Sequence, residues 1–174
     1  MSILWEKIGE KRPIGSPCMF FHGRHILLRV INMKNSKQIL SSLLKTTQMG
    51  QIGIRSVLDT SMRPSLRKAL ESQLQEYDSI ESEAHAIATQ RGWELPELDP
   101  AVRAMSNMMT RMKLAGQNAD SKIADMMIQG NTKGMIKGLK NLHQFPQPDE
   151  KIRTLSQKLL DCETANIRQM QSFL

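Results

Sequence analysis

The sequence predicts an all-α four-helix bundle, and three observations carry that expectation. Apolar residues recur three and four apart through four long stretches, the period of a helix with one buried face. Strand formers are scarce: only 4% of the 174 residues are aromatic, and runs of Val, Thr, Tyr or Phe are few. Helix punctuation falls between the periodic stretches, at Pro64, Gly92, Asp99 with Pro100, and Asp149.

Each element follows in chain order. The first helix is expected from about Ser36 to Leu58, with Leu40, Leu43, Leu44, Ile54 and Leu58 on one face. "TSMRPS" interrupts it, and Pro64 or Ser65 opens the second, which buries Leu66, Leu70, Tyr77, Ile80, Ala84 and Ala88 and stops at Gly92. Asp99 and Pro100 read as an N-cap and first helical position, opening a short helix to about Gly116 in the connection between the second and third long helices. Asn118 caps a long helix over about 119–143, and Asp149 opens a last one that runs nearly to Leu174. Long helices of about 22–27 residues span roughly 33–40 Å at 1.5 Å per residue, enough for one four-helix bundle.

Residues 1–35 are different in kind. They are basic, rich in Pro, Gly, Phe and His, and show no helical period, so they are expected to form an extension to a bundle that occupies residues 36–174. Met33 is expected to be the natural start, with the preceding segment an upstream translation or a disordered extension; a basic tethering arm is the functional alternative. The first 32 residues hold five basic and two acidic residues, leaving 19 basic against 15 acidic in the body. Of the formal charge of +7, only +4 is therefore spread over the body, and nucleic acid is not an expected partner. Two cysteines, Cys18 and Cys162, make neither a disulfide framework nor a zinc spacing. No apolar run reaches the ~18 residues of a membrane span. A cytoplasmic protein with no membrane partner is expected.

The stretches "QMGQIGIRSVL", "LESQLQEYDSIESEA", "ADMMIQGNTKGMIKGL" and "LLDCETANIRQMQSFL" resemble small bacterial ferritin-like proteins, mostly from Firmicutes and of undefined function. The likeness covers about residues 36–174, and its most distinctive piece is "MMIQGNTKG". It implies a ferritin-like bundle and a possible di-metal centre inside it. Such a centre takes a Glu from each of two helices and Glu-x-x-His from each of the other two, because two cations need carboxylate charge and imidazole nitrogen.

Placing each helix on a 100° wheel shows which polar residues point inward. They are Thr47 and Gln51, then Gln73 and Tyr77 with Glu76 and Glu81 on the flanks, then Asn131, and finally Glu163 and Asn166 as Glu-x-x-Asn. No Glu-x-x-His occurs anywhere, and His85 follows Glu81 by four residues rather than three. Gln and Asn are neutral and cannot balance two metals. The expectation is therefore no metal or other cofactor, and a buried hydrogen-bond network of Gln51, Gln73, Tyr77, Asn131, Glu163 and Asn166. Antiparallel packing is expected to bring Gln51 and Gln73 to one height. If a metal binds, Glu163, Glu76 and Glu81 are its candidate ligands.

Gly130, Gly134 and Gly138 stand four apart within a helix, where each costs about 1 kcal/mol against alanine. Gly134 and Gly138 fall on the apolar stripe and Gly130 at its edge, so the three are expected to form a packing seam against a neighbouring helix or the Tyr77 ring. Lys133, Lys137 and Lys140 read as a solvated face. Met105, Met108, Met109 and Met112 read as adaptable packing, although soft metals use such stripes. Cys162 falls in the core stripe and is expected to be inert. No nucleophile–base pair or phosphate loop is present. The function expected is a non-catalytic structural or protein-interaction module, a homo-oligomer or bound to another protein. The alternatives are a metal-binding oxidoreductase or storage protein near Glu163, and a DNA-associated protein like the mini-ferritins.

Overall fold

The computed structural model describes residues 18–96, 98, 119–145 and 148–174, with side chains in the first helix from Met33, Lys34 excepted. The described residues form four helices: α1 (Cys18–Arg55), α2 (Pro64–Gln90), α3 (Ala119–Gln144) and α4 (Glu150–Gln171). The short helix expected near 99–116 and the four methionines on it lie outside the described residues, as does Asn118.

Local chemistry sets most of the boundaries. Pro64 stands in the first turn of α2, where its missing N–H is not needed. Gly92 ends that helix at φ 60°, so the N–H groups of Gly92 and Trp93 turn back to the carbonyls of Thr89 and Ala88. Asp149 caps α4 by accepting from the Lys151 N–H at 3.0 Å. The start of α1 differs from expectation: the helix begins at Cys18 rather than near Ser36. Residues 18–32 lack an amphipathic period, which is the signal a pattern reading needs. They also contain no proline, so nothing in their chemistry forbids a helix.

Ion pairs and hydrogen bonds at the two ends fix the direction of each helix. At one end Asp149 pairs with Arg91 at 2.6 Å, its N–H donates to Ser36 Oγ at 3.0 Å, and Lys151 donates to Gln90 Oε1 at 3.2 Å. At the other end Arg63 pairs with Asp120. The starts of α2 and α3 therefore share an end, and the two helices run the same way, opposite to α1 and α4. The end of α2 and the start of α3 consequently lie at opposite ends of the bundle. Around the bundle the order of neighbours is α1, α2, α4, α3.

Leu40, Leu44, Ile54, Leu66, Leu70, Ile80, Ile123, Ile152 and Met170 are fully buried along the bundle axis. Each contributes on the order of 1.5–3 kcal/mol relative to exposure. Thr47 and Ser156 are buried too, but each donates to its own helix, at the Leu43 and Ile152 carbonyls. No described helix is long and apolar enough to cross a membrane.

Candidate functional site

The six inward polar residues are all buried, yet they do not join into one network. The Tyr77 hydroxyl donates to Asn131 Oδ1 at 2.7 Å, and Asn131 Nδ2 donates to the Met127 carbonyl at 2.7 Å. Asn166 Nδ2 lies 3.5 Å from both Asn131 Oδ1 and Cys162 Sγ, and the Cys162 thiol donates to Glu76 Oε2 at 3.1 Å. Gln51 belongs elsewhere: its amide donates to Asp78 at 2.8 Å and Glu81 at 2.6 Å, while Gln48 donates to the other Glu81 oxygen at 3.0 Å. Gln73 bonds only outward along this set, to Gln169 at 2.7 Å.

Height explains the division. The link 56–63 runs on past the end of α1 before α2 begins, held by Arg67 bonds to the Leu58 and Thr60 carbonyls. Gln51 thus faces residues 78–81 rather than Gln73. A helical wheel gives the angle of a side chain and says nothing of its level.

Glu163 stands apart from all three groups. It is 2% exposed, and its Oε2 has no hydrogen-bond partner. Burial without compensation pushes its pKa up to about 8, so the carboxyl is protonated at neutral pH. Burial, and then the nearby Glu163, hold Tyr77 above its ordinary value. Burial and the bond to Glu76 push Cys162 up to about 12, which makes it a thiol and not a nucleophile. Burial opposes ionisation of Glu81, but the amides of Gln48 and Gln51 outweigh it and hold its pKa low.

Space for the Glu163 carboxyl comes from Gly134. A Cβ there would stand 2.7 Å from the Glu163 Cδ. Gly138 admits Leu160 in the same way, with a Cβ 2.9 Å from its Cδ2, so these two glycines seat α4 rather than Tyr77. The Tyr77 ring instead lies over Gly50, where a Cβ would be 2.7 Å from its Cζ. Sequence reasoning missed Gly50, although two glycines three apart in "GQIG" are the kind of signal that marks such a contact. Gly130 is different again, with nothing within 4 Å of a Cβ.

Gly130 is open because it lines a cavity of about 380 Å³ between α1 and α3. Gly50, Gly53, Ile54 and Met49 form the α1 wall, and Met126, Met127 and Gly130 the α3 wall. Tyr77, Asn131 and Glu163 reach it from the interior, while Lys133 and Lys137 stand at its outer side. Lys133 and Lys137 therefore belong to the cavity as well as to the exposed face; partial burial and the neighbouring Lys45 lower the Lys137 pKa.

These residues do not fit a paired metal centre. Glu163, Glu76 and Glu81 sit in three separate settings, and among the described residues no three His, Cys, Asp or Glu side chains are gathered to hold an ion. The donors around Glu163 are amides, a phenol and a thiol, which supply no compensating negative charge.

Fold and interior together define an all-α four-helix bundle with a polar floor beneath a side cavity. In fold the chain is similar to a DUF305 fragment from Deinococcus radiodurans, known from its crystal structure, with a TM-score of 0.64 at 14% identity over 79% of this chain and 93% of that one. No protein-family model and no curated protein matches the sequence.

Proposed function

We propose that this chain is a ferritin-like bundle that binds rather than catalyses: a non-catalytic interaction module, cytoplasmic, and assembled with itself or with another protein. The ferritin-like assignment is supported by the directions of α2 and α3, consecutive described helices that run the same way, whereas consecutive helices of a simple up-down bundle run antiparallel. The observation that carries the non-catalytic reading is the company of Glu163. Its helix neighbour one turn on is Asn166 where a ferritin-like centre has His, and its carboxyl is protonated rather than charged. Half-exposed Ile136 and Leu139 on α3 supply apolar surface for assembly.

Metal analysis of protein made in iron- and manganese-supplemented medium tests the reading. The expected content is far below one ion per chain. About two ions per chain, the stoichiometry of a ferritin-like centre, would overturn it.

A further inference from the structure

The two helices that wall the cavity carry charge of one sign beside it. α1 has no Asp or Glu anywhere along it, and α3 has none after Asp125. Lys133 and Lys137 line the cavity, and burial and then the nearby Lys45 of α1 lower the Lys137 pKa. Among the described residues none of these three lysines pairs with a carboxylate. The one acid among the lining residues, Glu163, is buried and protonated at neutral pH. Cations gathered without an acid repel one another until an anion meets them.

The register of the two antiparallel helices gives the cavity a charged end and an apolar end. Asn141 Nδ2 donates to Ser42 Oγ at 2.8 Å, and a Cβ on Gly53 would stand 3.8 Å from the Met127 Cε. Lys45 is therefore level with Lys137, and Ile54 with Met126 and Met127. Met127 and Lys137 lie roughly 15 Å apart along α3 at 1.5 Å per residue. Between them Gly50, Gly53 and Gly130 leave an open slot.

We infer that this cavity binds a single-chain anionic amphiphile. Its carboxylate or phosphate head lies among Lys45, Lys133 and Lys137, and its aliphatic tail runs toward Ile54, Met126 and Met127. Charge selects the head, because no ionised acid competes for these lysines. Their long flexible stems let the ammonium groups follow a head at the outer side of the cavity and stay partly hydrated. The apolar end selects the tail, since methionine side chains adapt to aliphatic shapes. The floor is neutral and offers donors: the Glu163 acid proton, and the second Asn131 Nδ2 proton beyond the one given to the Met127 carbonyl. It therefore puts no negative charge near the head. A volume of about 380 Å³ suits a chain of medium length. Nucleic acid would meet the lysines but leave the apolar half of the slot unused. The inference rests on the reading of the bundle as a protein that binds rather than catalyses.

The test is calorimetric titration of decanoate and of decyl phosphate, each below its micelle concentration, into the full chain at pH 7. Metal content is measured on the same preparation. Saturable binding of one amphiphile per chain at about 1 mM or tighter is expected, and the tighter of the two identifies the head. Lys133→Glu combined with Lys137→Glu, both exposed positions, should weaken it by roughly tenfold or more. Gly130→Met should abolish it by filling the slot from a position where a Cβ meets nothing within 4 Å. Decylammonium, with the tail but the wrong charge, and inorganic phosphate, with the charge but no tail, should each bind far more weakly. Equal binding of either control, unchanged affinity in the lysine double variant, or no saturable binding of either amphiphile would overturn this inference alone. A salt-sensitive gel shift of short duplex DNA without amphiphile binding would do the same. About two metal ions per chain would overturn the proposed function with it, because Glu163 would then be an ionised ligand and the floor no longer neutral.

Discussion

The carboxyl group of Glu163 occupies the space that any side chain at position 134 would need. A Cβ on Gly134 would lie 2.7 Å from the Glu163 Cδ, far inside contact distance. One glycine and one acid are thus a fitted pair across α3 and α4.

That pair separates two glycines on the same helix. Gly134→Ala should lower stability by roughly 1–3 kcal/mol through overpacking. Gly130→Ala, with an open Cβ position, should raise it by about 1 kcal/mol through helix propensity. Combining Gly134→Ala with Glu163→Ala should recover most of the loss. Urea midpoints at pH 7 of the wild type, the singles Gly134→Ala, Gly130→Ala and Glu163→Ala, and the double variant check all three statements, and additive losses in the double variant would refute the pairing.

A second fitted pair is Gly50 and Tyr77. Gly50→Ala should cost about 1–3 kcal/mol because its Cβ would stand 2.7 Å from the Cε2 and Cζ of a buried ring. Gly53→Ala should be tolerated, since its Cβ would sit 3.8 Å from the Met127 Cε, an ordinary contact. Thermal unfolding of the two single variants distinguishes them.

The phenol has its own contribution. Tyr77→Phe leaves Asn131 Oδ1 with only the 3.5 Å contact to Asn166. A loss of about 1–2 kcal/mol is expected in urea unfolding, the cost of a buried acceptor that has lost its donor.

Protonation of Glu163 links stability to pH. Its folded pKa of about 8 lies above the unfolded value of 4.5, so the folded state holds this proton more tightly. The contribution is therefore complete below pH 4.5 and is lost as the pH rises through 8, at about 1.36 kcal/mol per unit across that window. Glu81 has the opposite sign: its pKa is lowered, so its contribution is lost as the medium turns acid. Urea midpoints between pH 5 and 8 should fall for the wild type and stay level for Glu163→Gln. A wild type that gains stability over this range would contradict the assignment.

The parts of this fold that were legible in the sequence are the ones set locally. The second, third and last helices carry strong amphipathic periods, and Gly92 and Asp149 act within a turn of their own positions. The start of α1 was not legible, because residues 18–32 have no period to read. The order of helices was not legible either; it rests on contacts such as Arg63 with Asp120 that join distant parts of the chain. At the site, the inward direction of Asn131, Glu163 and Asn166 follows from angle alone. Their partners follow from height, which the length and course of the link 56–63 control. The cavity was least legible of all, since it exists where Gly50, Gly53 and Gly130 leave two helices without side chains to fill the gap.

The measurement that tests the central claim most directly is a carbon-13 NMR titration of the Glu163 carboxyl, assigned by its absence in Glu163→Gln. A midpoint near pH 8 in metal-free protein is the predicted result. A midpoint in the ordinary carboxylate range, near 4.5, would mean that the group is solvated or paired, and the account of an isolated acid on the cavity floor would be wrong.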